Sequence, residues 1–300
     1  MKIQSKPSAS PMQSTEVAPA AGPAICTFET PVLKVPQTSP RAVEARVWQN
    51  RRADREGDEV SDNYRISHCA RGYGEHYNKT HESGYYGALW TKIEKPLLVD
   101  VLGPMGGAGR KCLDFACGTG RITNIAAELF DEVVGVDVSG AMLACARVPD
   151  NVKLRHIDMT VDPLGETFDV VTAFRFFLNA EDSLRREALT AIHDQLNDQG
   201  RLVANVHMNA TSPVGVACRM LNQVFGRTLR NTLSASRFNE LLVSSGFIVE
   251  HLIPYGYLPR PGHFLPGLCQ ALIEPVEKAS KTLKLPGSLA QHFLVVANKR

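Results

Sequence analysis

The densest chemistry in this 300-residue chain lies in Asp114-Phe115-Ala116-Cys117-Gly118-Thr119-Gly120-Arg121. Gly118 and Gly120 remove the side chains that would keep a ligand off the backbone. If a helix begins at Arg121, its free N–H groups and positive end can receive a carboxylate. A dinucleotide fingerprint needs a third glycine, and that position holds Thr123, so the match fails. Further on, in Val136-Asp137-Val138-Ser139-Gly140-Ala141-Met142-Leu143, Asp137 follows Gly118 by 19 residues. A carboxylate at the end of a second strand can accept hydrogen bonds from both ribose hydroxyls of an adenosine. Helix capping is the competing role, and Ser139 is better placed to fill it. A G-x-G turn alone decides little, because many α/β proteins use one to pack a helix on a strand.

These residues need strands and helices to hold them. Short apolar, β-branched runs occur at Cys112–Phe115, Val133–Val136, Val152–Ile157, Phe168–Thr172 and Arg201–Val206, with later candidates at Phe247–Ile253 and His292–Ala297. Helical periodicity fills the gaps at Arg121–Phe130, Ala141–Arg147, Ser183–Leu196 and Ser234–Ser245. Strands alternating with helices predict an α/β protein with a doubly wound, mainly parallel sheet. Residues 1–60 are read as a disordered or weakly helical tail: Pro, Ser, Ala and Gln dominate its first part, and charges its second. Tyr64, Tyr73, Tyr77, Tyr85, Tyr86 and Trp90 crowd residues 61–100, read as a helical lid in which Pro96 stops, kinks or restarts the helix. Residues 101–300 form the main domain, with a Pro- and Gly-rich, substrate-facing insertion over about 253–290.

Together the motifs resemble the class I S-adenosylmethionine (SAM)-dependent methyltransferases. That family's acidic-x-x-x-G-x-G turn is matched by Asp114, Gly118 and Gly120, and its D-x-S-x-x-M-L motif by Asp137, Ser139, Met142 and Leu143. Ala116 departs from it, standing where many members carry glycine; a tighter turn is expected. The resemblance implies a Rossmann-like, seven-stranded sheet and SAM as methyl donor. It places Asp158 against the adenine amino group, with the Met159 backbone beside it, Met142 against the adenine face, and Val138 and Phe174 on the donor's walls. Tyr73 and Tyr77 are expected at the donor's amino-acid end. At the fourth strand's end Arg175 can pair with an anionic acceptor, or serve as a surface anchor. At the fifth strand's end His207 can act as general base toward a hydroxyl, with Asn205 and Asn209 to orient it. Methyl transfer by alignment alone needs no base.

Composition narrows the partners. A net charge of +2 gives no basic field for nucleic acid. No stretch of about 18 apolar residues predicts a membrane span. Seven cysteines without a C-x-x-C pair, and no secretory leader, point to a reduced, cytoplasmic protein with no metal site. The expected partner is a small-molecule acceptor, methylated on oxygen, and a homodimer is allowed. Left open are a SAM-binding regulator without catalysis and a protein or RNA methyltransferase. A nicotinamide oxidoreductase has Thr123 against it.

Overall fold

The computed structural model describes residues 64–67, 69, 73–226, 228, 230–259 and 266–300, all within one compact unit spanning Val60–Arg300. The tail expected over residues 1–60 lies outside them. The helices are α1 (Tyr64–Ser67), α2 (Tyr73–Glu82), α3 (Gly84–Leu89), α4 (Lys95–Leu102), α5 (Arg121–Leu129), α6 (Gly140–Leu143), α7 (Asp182–Gln195), α8 (Pro213–Phe225), α9 (Ala235–Ser244) and α10 (Pro266–Thr282). The strands are β1 (Gly107–Phe115), β2 (Phe130–Asp137), β3 (Val152–His156), β4 (Phe168–Ala173), β5 (Leu196–Val206), β6 (Phe247–Tyr255) and β7 (His292–Lys299).

The seven strands form one sheet in the order β3-β2-β1-β4-β5-β7-β6. All pairings from β3 to β5 are parallel, and β7 runs antiparallel between β5 and β6. Successive side chains on a strand point to opposite faces, so each strand feeds two cores. Leu113, Val134, Val171, Leu202 and Val295 pack on one face with Phe177 and Phe238. Cys112, Val133, Val170, Val203 and Val296 pack on the other with Leu89, Leu98 and Ile125. Burial on both faces is why the inner strands read as unbroken apolar runs rather than alternating ones. Strand order reverses between β1 and β4, and a doubly wound sheet opens its crevice at that point, beyond the strands' carboxyl ends.

Local chemistry adjusts several expected elements. The helix expected over Ala141–Arg147 is only α6: the chain then tightens, with the N–H groups of Cys145 and Ala146 donating to the carbonyls three residues back. Pro96 lacks an N–H, and the helix restarts across it. Trp90–Glu94 form a π turn, with the Lys95 N–H donating to the Trp90 carbonyl, before α4 begins. Helix α8 was not expected, although its signals are readable: the Ser212 hydroxyl accepts from the Gly215 N–H, Pro213 opens the first turn, and Gly226 closes it at φ 61°. The region 253–290 contains strand residues and the regular helix α10 despite Pro275 within it. No described helix is long and apolar enough to cross a membrane.

Candidate functional site

The loop from β1 to α5 is built on left-handed residues. Ala116, Gly118 and Gly120 have φ values of 55°, 58° and 83°. Glycine is the ordinary choice there, and alanine at position 116 costs about 1 kcal/mol against it. A side chain at Gly118 would crowd the Met142 Cε at 3.1 Å, and one at Gly120 would meet Val148 at 3.0 Å. Asp114 sits below this loop, 1% exposed. Thr123 and Thr172 donate their hydroxyls to its two oxygens at 2.5 and 2.8 Å. Burial pushes its carboxyl up to about 6, against the pull of those hydroxyls.

At the end of β2, the Asp137 carboxylate gathers the loops together. It accepts the Gly118 N–H on one oxygen and the Ser139 N–H on the other, both at 2.7 Å. Burial raises its carboxyl in spite of these amides. Ser139 caps α6 by accepting from the Met142 N–H, so capping and the aspartate's task are divided between two residues. After β3, Asp158 accepts from the Thr160 N–H and hydroxyl at 3.0 and 2.6 Å and from Arg65 Nε at 2.7 Å. Burial opposes ionisation of Asp158, but the Thr160 and Arg65 donors hold its carboxyl below the usual range.

Arg175 lies two residues beyond β4 with φ 60°, a left-handed conformation for a long side chain. The Asn205 side-chain oxygen Oδ1 accepts the Arg175 N–H at 2.8 Å, and the Arg175 backbone carbonyl accepts the Tyr64 hydroxyl at 3.2 Å. The guanidinium is buried, reaching Glu94 Oε2 at 3.3 Å through Nη2 and His81 Nε2 at 2.9 Å through Nη1. It is therefore no surface anchor. Glu94, turned inward by the π turn, also accepts the Tyr255 hydroxyl at 2.9 Å, and Asn205 Nδ2 donates to that hydroxyl at 3.1 Å. Burial alone would raise Glu94; the Arg175 and Arg121 charges prevail and bring it down to about 2. His81 donates from Nδ1 to the Tyr77 carbonyl at 2.8 Å if Nε2 is to accept from Arg175. Burial and then Arg175 bring its imidazole down to about 4. His207, at the end of β5, is held well below its ordinary value by burial and then Arg175. It is neutral at pH 7, and its Nδ1 has no partner among the described residues.

A cavity of about 340 Å³ joins these parts. Asp114, Ala116, Gly118, Asp137, Val138, Met142, Asp158 and Met159 line it, as do Phe174, Arg175, His207, Tyr73 and Tyr77. Gly120 stands behind the wall as the cap residue of α5. Asn205 braces Arg175, and Asn209 ties down the Gly287–Ala290 turn rather than His207. Sequence reasoning passed over Arg65, His81, Glu94 and Arg121. It used Thr123 only to reject a dinucleotide, whereas Thr123 holds Asp114. Arg121 was legible as the first helical residue after the glycine turn; Glu94 depended on a π turn that no periodicity announces. Among the described residues no cluster of His, Cys, Asp or Glu is arranged to hold a metal ion.

Fold and cavity define a Rossmann-like α/β protein whose ligand-sized cleft lies at the switch point of its sheet. Residues 112–200 match the methyltransferase domain family. CRG1 of Saccharomyces cerevisiae, described as a probable S-adenosylmethionine-dependent methyltransferase, is 32% identical over 74 residues, covering 25% of each chain. A methyltransferase-family protein of Geobacillus sp. (strain WCH70) is 30% identical over 138 residues, 44% of this chain and 54% of that one. The chain thus spans about a quarter and about half the length of these relatives. In fold it is similar to magnesium protoporphyrin IX methyltransferase from Synechocystis, solved with bound SAM. The TM-score is 0.52 at 12% identity, with 82% of this chain and 99% of that chain covered. Over residues 112–200 the chain is thus similar to methyltransferase domains, and its fold is similar to that of a SAM-binding methyltransferase.

Proposed function

We propose that this protein transfers the methyl group of SAM to a small-molecule acceptor, at an oxygen atom. One observation carries the reading: one cavity joins the Gly118 turn, Asp137 and Asp158 to Arg175 and His207 at the ends of the next two strands. Its volume, about 340 Å³, falls at the low end of the range for small-ligand sites. The residues suit SAM. The Gly118 turn leaves the backbone open, Asp137 keeps lone pairs for ribose hydroxyls, Asp158 faces the adenine side with Met142 and Met159, and Tyr73 and Tyr77 close the amino-acid end. When bound, SAM supplies an electrophilic methyl group on a sulfonium.

The chain's own residues then align and desolvate. Phe174 and Phe176 exclude water from the line between donor and acceptor. Neutral His207 can take the proton of an acceptor hydroxyl as the new carbon–oxygen bond forms and the carbon–sulfur bond breaks, its electrons passing to sulfur. Alignment supplies the larger share of the rate. Calorimetry with S-adenosylhomocysteine, on wild type and Asp137→Ala and beside NADH, tests the reading. Binding of the homocysteine compound that weakens at least about 10-fold in the variant is expected, since two charge-assisted hydrogen bonds are removed. No binding, or a preference for NADH, would sink it.

A further inference from the structure

Helix α8 turns an apolar stripe outward. Val216, Met220 and Val224 recur every fourth residue and share one face of the helix, with Leu221 beside them and Phe225 at the end. All five are exposed, Met220 by 62% and Val224 by 78%. The inward side is anchored by Gly215, so close to the Asn209 carbonyl oxygen that a Cβ would lie 2.0 Å from it. A second apolar segment adjoins the start of this helix. Leu283, Leu285 and Leu289 are exposed, and Asn209 Nδ2 donates to the carbonyls of the Gly287–Ala290 turn. The Asn209 carbonyl in turn accepts the N–H and hydroxyl of Ser212, the cap of α8. Single exposed apolar side chains are ordinary, but a stripe along a helix joined to a second cluster marks an interaction surface. Charge narrows the partner. From Gln199 to Asn239 the chain carries five arginines and no Asp or Glu, and from Lys278 to Arg300 it carries five basic residues and again no Asp or Glu. Arg201, Arg237 and Lys281 reach carboxylates outside these stretches. Among the described residues, Arg219, Arg230 and Lys284 pair with none, and all three are exposed.

We propose that α8 and the Leu283–Leu289 segment form a docking surface for an anionic lipid bilayer, on which the protein lies without spanning it. A bilayer interface takes apolar side chains into its acyl boundary and holds basic ones at its headgroups. A second copy of this chain complements the surface less well. A two-fold pairing of α8 with α8 sets the same arginines against each other, with no carboxylate between them. A nucleic acid would match the arginines and leave the apolar stripe in water. The surface begins at Asn209, three residues beyond β5 and two beyond His207, which lines the cavity.

The test uses the full chain and two variants, Met220→Glu with Val224→Glu against the apolar stripe, and Arg219→Gln with Lys284→Gln against the charge. Each is co-sedimented with vesicles of phosphatidylcholine, with and without phosphatidylserine, over a series of salt concentrations. Thermal unfolding checks folding, and sedimentation velocity without lipid gives the oligomeric state. Wild type should be a monomer that binds the phosphatidylserine vesicles, with binding that weakens as salt rises. Each variant should bind them about 10-fold less or weaker still, with an unchanged unfolding temperature. If the glutamates disturb α8, the glutamine pair still carries the comparison. Wild type that binds neither kind of vesicle, or both equally at every salt concentration, overturns the proposal. So does wild-type affinity in both variants. A wild-type dimer that Met220→Glu with Val224→Glu dissociates also overturns it, and assigns the face to a second copy of the chain.

Discussion

His207 shows how much of a residue's chemistry its neighbours decide. Its position at the end of a strand is readable, but its basicity is not: burial and the Arg175 charge hold it well below an ordinary imidazole. It is ready to accept a proton at pH 7 but is a weaker base than a free histidine. The expected effect of His207→Asn is accordingly modest, a drop in turnover of about 10- to 100-fold, with S-adenosylhomocysteine affinity unchanged. Steady-state rates beside calorimetry check this, and wild-type turnover in the variant would leave alignment alone as the mechanism. Ala116 and Arg175 are alike in another respect, since both hold left-handed backbone without being glycine. Sequence marks the first as a departure from a motif; nothing in it marks the second.

At the scale of elements, the N-terminal helices determine what the strand ends can do. Helix α2 carries Tyr73, Tyr77 and His81 to the cavity, and it packs on α6, which carries Met142. Gly74 is the close contact between them. A side chain there would meet Cys145 Sγ at 2.8 Å and the Ala141 carbonyl at 3.0 Å. Gly74→Val should therefore push the two helices apart. Expected are a stability loss of about 1–3 kcal/mol by urea denaturation and several-fold weaker S-adenosylhomocysteine binding. A fully stable variant with wild-type affinity would show that α2 is not a fixed wall of the site. The π turn before α4 works at the same scale: it turns Glu94 inward, and without Glu94 the Arg175 charge would stand buried and alone.

Over the whole molecule, a buried layer of histidines makes the fold sensitive to acid. His292 is 5% exposed and lies against the His207 backbone. Burial is the main cause that brings it down to about 4; Glu94 opposes this and Arg175 adds to it. An unfolded histidine titrates near 6.5, so between about 6.5 and 4 the unfolded chain binds more protons. The stabilisation is complete above that window and is lost as pH falls through it, on the order of 3 kcal/mol for this residue. Asp114 acts in the opposite sense, because its carboxyl is raised to about 6 and protonation relieves the cost of burying its charge. Urea midpoints at pH 7, 6 and 5 should fall in wild type, and fall less in His292→Gln; a flat wild-type profile would contradict the assignment. The alternating pattern of strands and helices, the glycine turn and the aspartates at the ends of the first three strands were settled by sequence. Periodicity and spacing are local quantities, and a doubly wound sheet brings the ends of its parallel strands to one edge whatever the loops do. Tertiary structure alone decided the partners of those residues: Thr123 on Asp114, Arg65 on Asp158, and Glu94, Arg175, Tyr255 and Asn205 in one buried network. These contacts join residues up to 161 positions apart. Burial sets their charge states, and no residue carries its burial in its own identity.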